Sequence, residues 1–220
     1  MQGFRKAFRP PPPPPPDVYY GQMGEDKHIR ERYFPTMRNG TFLEMGALDG
    51  VLFSNTKFFE DTMGWSGVLI EPIPASFDKL KVNRPRCTLF QCAVSTNEGT
   101  IDIYEHGAVS SVRENTSESF YNGWHREKDI QLIQVPARRL DSILHEAGVK
   151  SIDFWSLDVE GSELDALQTM DWSIPVGVIC IETQTDDKKD ACDSILIANG
   201  FTKSEEFEHN EIWVGRHFRR

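Results

Sequence analysis

The sequence predicts an α/β domain in which a parallel sheet is covered by helices on both faces. Two observations carry this. From Thr41 onward, short β-rich apolar runs alternate with segments of helical spacing, which is the pattern of parallel strands joined by helical crossovers. The first run ends in Glu44-Met45-Gly46-Ala47-Leu48-Asp49-Gly50, a glycine-bearing stretch placed just before a helix opened by Ser54, where doubly wound sheets make their first turn. A length of 220 residues and a mass of 25.2 kDa suit one domain that buries a core without disulfide or metal staples.

The elements follow in order. Gly24 to Phe34 reads as an added amino-terminal helix, and Thr41 to Ala47 as the first strand. Ser54 to Thr62 is helical, with Phe58 and Phe59 on one side. Gly67 to Glu71 is the second strand, and Pro74 to Asn83 begins with a proline suited to a first helical turn and buries Phe77 and Leu80. Thr88 to Val94 and Ile152 to Asp158 are the next strands. Ser162 to Met170 places Leu164, Leu167 and Met170 at helical spacing, and Val176 to Glu182 is a fifth strand. Asp190 to Asn199 is a helix stopped by Gly200, after which Phe201 to Glu206 and Glu211 to Gly215 form a terminal strand pair. Glu105 to Asp129 breaks this rhythm. It is polar and poor in aliphatics, yet it holds Phe120, Tyr121 and Trp124, so we expect a substrate cover there.

Ahead of the domain, residues 1–16 are basic and end in the unbroken run Pro10 to Pro16. Seven prolines form an extended left-handed rod of roughly 20 Å, at about 3.1 Å per residue. This segment is expected to be a linker or tail, with residues 17–220 as the working domain and other catalytic domains of a modular enzyme joined through the rod. The net charge is −10, and three of the basic residues (Arg5, Lys6, Arg9) precede the prolines, so the body is more acidic still. Such a body is a poor match for nucleic acid or an anionic membrane surface, both of which need clustered Lys and Arg. No apolar run approaches the roughly 20 residues of a membrane span, and no secretory signal is visible. Cys87, Cys92, Cys180 and Cys192 show no metal spacing and no disulfide density, and read as buried thiols in a reducing, cytoplasmic compartment.

Three groups of residues suggest chemistry. The turn from Glu44 to Gly50 suits a small-molecule cofactor approaching bare backbone, or else a plain tight turn. Its glycine spacing does not match a dinucleotide fingerprint, and no Gly-Lys-Ser/Thr makes it a P-loop. Glu71, at the end of the second strand, stands where doubly wound folds place the acid that accepts hydrogen bonds from a ribose diol. Asp158 and Glu160 leave the fourth strand at alternate positions, where carboxylates suit a general base or a divalent cation, and Glu182 closes the fifth strand nearby. Glu163, in a first helical turn, is expected to serve the helix dipole.

Taken in order, Gly40-Thr41-Phe42-Leu43-Glu44-Met45-Gly46-Ala47-Leu48-Asp49-Gly50, Ser54-Asn55-Thr56, Gly64-Trp65-Ser66-Gly67-Val68-Leu69-Ile70-Glu71-Pro72 and Asp158-Val159-Glu160-Gly161-Ser162-Glu163 resemble the FkbM family of S-adenosylmethionine-dependent methyltransferases. Gly24-Glu25-Asp26-Lys27 and Asn83-Arg84 are similar to it as well, so the resemblance runs from about Tyr20 to Asn199. It implies a class I, Rossmann-like methyltransferase with a mostly parallel seven-stranded sheet and an antiparallel last strand. It further implies that Gly46, Ala47, Asp49 and Gly50 wrap the methionine part of the cofactor while Glu44, an acid longer than the usual Asp, fixes its amino end. Ser54 and Asn55 would face the same pocket, Glu71 would bind the ribose, Pro72 and Ile73 would lie beside the adenine, and Cys92 and Ala93 would form the opposite wall.

The resemblance also implies an O-methyltransferase with a small-molecule or glycan acceptor. Asp158 is then the expected base beside the methyl group and a cofactor contact, Glu160 the second candidate, and Asp158 with Glu182 the pair for a divalent cation. Tyr121, Trp124 and His125 are the expected acceptor contacts, the aromatics either stacking on a sugar face or simply anchoring the loop. His106 and His125 offer an alternative base; His28, His145, His209 and His217 have no ligand spacing. The competing readings are a peptide, lipid or secondary-metabolite acceptor, and a cofactor-binding scaffold without turnover.

Overall fold

The structure, a computed structural model, describes residues 17–126, 130–183, 185–216 and 218. The basic tail and its proline rod lie outside the described residues, as do the last three positions of the expected substrate cover.

Along the chain, α1 (Glu25–Arg32) precedes β1 (Thr41–Met45), α2 (Lys57–Met63), β2 (Ser66–Ile70), α3 (Pro74–Asn83), β3 (Thr88–Phe90) and β4 (Ala93–Val94). Then come β5 (Gly99–Glu105), a 3-10 turn over Gly107–Val109, β6 (Ser111–Val112), the short α4 (Glu118–Phe120) with a π-helical turn over Tyr121–His125, and β7 (Gln131–Arg138). The carboxyl-terminal half holds α5 (Leu140–Glu146), β8 (Ile152–Leu157), α6 (Glu163–Thr169), β9 (Val176–Glu182), α7 (Asp186–Ala198), β10 (Phe201–Phe207) and β11 (Asn210–Gly215).

The main sheet has seven strands in the order β10-β11-β9-β8-β1-β2-β3. Strands β3, β2, β1, β8 and β9 are parallel, and β11 runs antiparallel to both β9 and β10, which is the expected reversed last strand. The central strands are apolar on both faces, as a sheet covered by helices requires. On β8, Phe154 packs into an aromatic layer with Phe34, Phe59 and Trp65, while its neighbour Trp155 enters the other layer with Leu43, Ile143 and Ile179.

A second sheet, β4-β7-β5-β6, departs from the sequence expectation. The expected strand Thr88 to Val94 is divided at Gln91: its first half pairs with β2 and its second half leaves the main sheet to pair with β7. Strands β5 and β7 are antiparallel, with Ile101 opposite Val135 and Ile103 opposite Ile133. Their alternate apolar residues, with Val112 and Ala93, form a small core of their own over Ile73. Pro136 is tolerated within β7 because β4 reaches only Ala137 and Arg138, leaving Pro136 unpaired on that side. The polar cover, over its described residues 105–126, is thus built on the far end of this sheet, with β6 and short helical turns rather than a structureless loop. Among the described residues no helix is long and apolar enough to cross a membrane, and the four cysteines are free.

Candidate active site

A cavity of about 560 Å³ opens at the carboxyl ends of β1, β2, β8 and β9, between the main sheet and the small one. This is the crevice where doubly wound sheets bind ligands. Gly46, Glu71, Asp158 and Glu182 come from the four strand ends, and Ile73, Ala93, Ile103 and Val112 form the roof.

The glycine turn is shaped by close approach. Gly46 has φ +78°, and a Cβ on it would collide with the backbone oxygen of Asp158, so only glycine lets the turns after β1 and β8 meet. The amides of Gly46 and Ala47 donate to the Ile70 oxygen at 3.1 and 3.2 Å, tying the turn to β2. Asp49 spends its carboxylate locally, accepting from the amides of Val51 (2.9 Å) and Leu52 (2.8 Å). Glu71 is 2% exposed; it accepts from Leu48 N and Ile73 N, both at 2.8 Å. Burial pushes its carboxyl up to about 7, against the pull of those two amides.

Glu44 is turned away from the cavity. Its carboxylate accepts from Ser54 Oγ (2.9 and 3.1 Å), Asn55 N (2.7 Å) and Thr56 Oγ1 (2.7 Å), and lies 3.6 Å from Arg84. Arg84 is wholly buried and also donates to Glu60, to the Gly50 oxygen (3.1 Å), to Ser54 Oγ (3.1 Å) and to Thr56 Oγ1 (3.0 Å). The physical reason is charge: a buried guanidinium needs carboxylates, and Glu44 and Glu60 supply them. Glu44, Gly50, Ser54 and Asn55 are thus held in this network; they, and Ala47 and Asp49 expected with Gly50 to wrap the methionine part of the cofactor, are not among the described residues lining the cavity. The same network keeps helix α2 from starting at Ser54: the Ser54 hydroxyl accepts from Lys57 N at 3.1 Å and caps the helix from outside.

Asp158 and Glu160 both line the cavity, in a turn where Glu160 (φ +53°) and Gly161 (φ +104°) are left-handed. Glu163 braces this turn. It is buried, and its Oε1 accepts from Val159 N (3.2 Å) and Gly161 N (3.0 Å), a more specific task than the dipole role expected for it. Burial pushes Glu163 up to about 7. Asp158 is likewise raised to about 7, by burial first and then by the negative charges of Glu182, Glu25 and Glu44; Glu182 is itself raised by burial, Glu163 and Glu25. Asp158 and Glu182 are brought together as expected for a cation pair, but among the described residues no group of three or more His, Cys, Asp or Glu is arranged to hold a metal ion.

The segment after β6 is bolted to this turn. Lys188 Nζ donates at 2.6 Å to both the Asn115 and Gly161 oxygens, and Asn115 Nδ2 donates to Ser162 Oγ (2.9 Å) and Asp165 Oδ2 (3.0 Å). Of the expected acceptor contacts, Trp124 lines the cavity and is 52% exposed at its rim. Tyr121 packs against Tyr104 with centroids 5.3 Å apart, and His125 is buried with its Nε2 3.1 Å from Ser111 Oγ; neither lines the cavity. Burial and nearby His106 lower the His125 pKa, which keeps the ring neutral. Phe120, an aromatic of the expected cover, also lines the cavity, and Phe53, Val109 and His209 join it with no sequence signal for that place. Phe53 carried a signal only a structure reveals, a left-handed φ of +60° that a bulky residue rarely adopts.

Fold and cavity together define a Rossmann-like methyltransferase. Among solved structures, the chain is similar to the Methanococcus jannaschii fibrillarin pre-rRNA processing protein (14% identity, 82% of this chain and 68% of that one, TM-score 0.47). It is similar, too, to an Aeropyrum pernix fibrillarin in complex with natively bound S-adenosyl-L-methionine (10% identity, 88% and 73%, TM-score 0.49). A TehB-like SAM-dependent methyltransferase from Corynebacterium glutamicum is comparable (10% identity, 89% of each chain, TM-score 0.44). No curated protein matches the chain. The FkbM methyltransferase domain matches residues 44–213, and the chain belongs to that family of S-adenosylmethionine-dependent methyltransferases.

The residues fit the family's cofactor. Glu71 is a buried acceptor held by two amides, the slot of Ile70, Ile73, Cys92 and Ala93 is apolar enough for an adenine, and the volume falls within the usual few hundred cubic ångströms of a ligand pocket.

Proposed function

We propose that this protein transfers a methyl group to a hydroxyl of a sugar or glycan, with Asp158 as the base. The observation that carries the reading is Asp158 itself: a carboxyl raised to about 7, at the wall of a cavity that Phe120 and Trp124 also line. A base poised near neutral pH is matched to removing a proton from a weakly acidic alcohol.

S-adenosylmethionine, when bound, supplies a methyl group already activated on positively charged sulfur. The chain's own residues do the rest. Glu71 accepts hydrogen bonds from the ribose hydroxyls, and Ile73, Pro72, Cys92 and Ala93 flank the adenine. Trp124 and Phe120 offer flat apolar faces suited to the C–H face of a pyranose. Asp158, as carboxylate, takes the acceptor's hydroxyl proton as the oxygen is alkylated, so the proton resides on Asp158 Oδ until solvent removes it. Glu160 and Glu182 line the same end of the cavity, and most of the acceleration is positional, since the hydroxyl must be held about 3 Å from the methyl carbon in line with its bond to sulfur.

The test is a panel of methyl glycosides, oligosaccharides, peptides and lipids offered with methyl-labelled S-adenosylmethionine, with and without a chelator. Label entering saccharide ethers is the expected result. Label found only in peptides or lipids overturns the acceptor class, and none in any acceptor despite cofactor binding favours a scaffold.

A further inference from the structure

The matched family domain begins at residue 44, yet the segment before it reaches the same cavity. Residues 20–27 are held in a tight fold: Tyr20 N donates to Asp26 Oδ2 (2.6 Å), Met23 N to Glu25 Oε2 (2.9 Å) and Lys27 N to Asp26 Oδ1 (2.8 Å), with Glu25 and Asp26 both buried. Gly21 presses this fold against the domain. A Cβ there would stand 2.8 Å from Glu25 Oε2, 2.9 Å from Asn55 Oδ1 and 2.9 Å from Asp26 Oδ1. Asn55 in turn donates to Ser156 Oγ at 3.1 Å, on the strand that delivers Asp158. Gln22 emerges from the fold to line the cavity with Asp158 and Glu182.

Glu25 is buried behind Gln22 and does not itself line the cavity, but its carboxylate and Asn55 Oδ1 crowd the same face of Gly21, Asn55 is bonded to Ser156 two residues before Asp158, and the Glu25 charge acts on both Asp158 and Glu182. No Lys or Arg is among the described residues lining the cavity. Like charges gathered in a poorly solvated place repel one another and are relieved by a bound cation. S-adenosylmethionine carries a positive sulfur and S-adenosylhomocysteine a neutral one.

We propose that α1 and the turn before it are part of the cofactor site: Gln22 touches the methionine end, and Glu25, with Asp158 and Glu182, makes the site prefer the cationic cofactor to its uncharged-sulfur product. The preference would speed product release, because transfer of the methyl group removes the positive charge that the carboxylates hold. The inference rests on the cofactor lying with its sulfur near Asp158, as set out above.

Calorimetric titration of the whole chain with S-adenosylmethionine and with S-adenosylhomocysteine tests it without any acceptor. The wild type is expected to bind the first about tenfold more tightly, a difference of about 1.4 kcal/mol. Glu25→Gln, whose amide oxygen still accepts from Met23 N, should cut that ratio to about threefold while leaving S-adenosylhomocysteine binding within about twofold; Glu25→Asp should keep the ratio. Gln22→Glu, at an exposed position that folding does not depend on, should widen it. An unchanged ratio in both Glu25→Gln and Gln22→Glu, or an equal loss for both ligands in Glu25→Gln, overturns the proposal. If Glu71→Ala leaves both affinities untouched, the placement of the cofactor in this cavity is what fails.

Discussion

Asp158 and Glu44 are both acids at the ends of central strands, and in the sequence they look alike. Their fates differ because of partners far along the chain. Glu44 meets Arg84 and three donors from residues 54–56, whereas Asp158 lines the cavity and is raised by burial and by the charges of Glu182, Glu25 and Glu44. The glycine turn, Glu71 and the Asp158 cluster were legible because their chemistry is local: a strand end, a glycine, an acid. The counter-ion of Glu44 was not, since nothing in a linear pattern says which of two acids a buried arginine 40 residues away will claim. Asp158→Asn is expected to lower methyl transfer by about 10²- to 10⁴-fold, with S-adenosylhomocysteine affinity changed only a few-fold, as stopped assays and calorimetry would show. Because the carboxylate form is the base, the rate should rise with pH through about 7. Glu182→Gln removes the strongest charge repulsion on Asp158, so the rising limb of the pH–rate profile should move to lower pH. A limb that stays in place would show that the base is another group.

At the scale of elements, the alternation of strand and helix was readable and the small sheet was not. Its apolar positions, Ile101, Ile103, Ile133, Val135 and Ala137, do follow period two, but they are outweighed by the polar residues between them and by the long cover that separates the two strands. That sheet matters because it roofs the cavity. Trp124→Ala should raise the acceptor KM several-fold and leave S-adenosylhomocysteine binding unchanged, since Trp124 sits exposed at the rim whereas Glu71 is buried. The Arg84 network behaves oppositely. Arg84→Met leaves Glu44 buried without its cation and Glu60 with Arg86 alone, and should cost about 3–5 kcal/mol in chemical denaturation. A loss below about 1 kcal/mol would mean that those carboxylates find water in the folded state.

For the whole molecule, the seven-strand order places four strand ends around one crevice and gathers acids there that water would otherwise hold apart. Glu71, Asp158 and Glu163, each raised to about 7 by burial, keep protons in the folded chain that the unfolded chain releases near pH 4. The folded state thus binds more protons than the unfolded one across that window, and stability falls as pH rises through it, levelling off above about 7. Thermal melts of the ligand-free protein should give a higher Tm at about pH 5 than at about pH 8, and Glu71→Gln with Glu163→Gln should flatten the slope. A Tm that climbs over the same range would contradict the burial of these acids. The acidic excess read from composition is in this sense partly functional, with several of its charges spent inside the cavity instead of on the surface.

The most direct measurement is a crystal structure of the protein grown with S-adenosylhomocysteine. The expected density places the ribose hydroxyls on the Glu71 carboxylate, the adenine between Ile73 and Ala93, and the homocysteine sulfur beside Asp158. Density that leaves Glu71 untouched, or that puts the sulfur at the far end of the cavity from Asp158, would contradict the proposed route of methyl transfer.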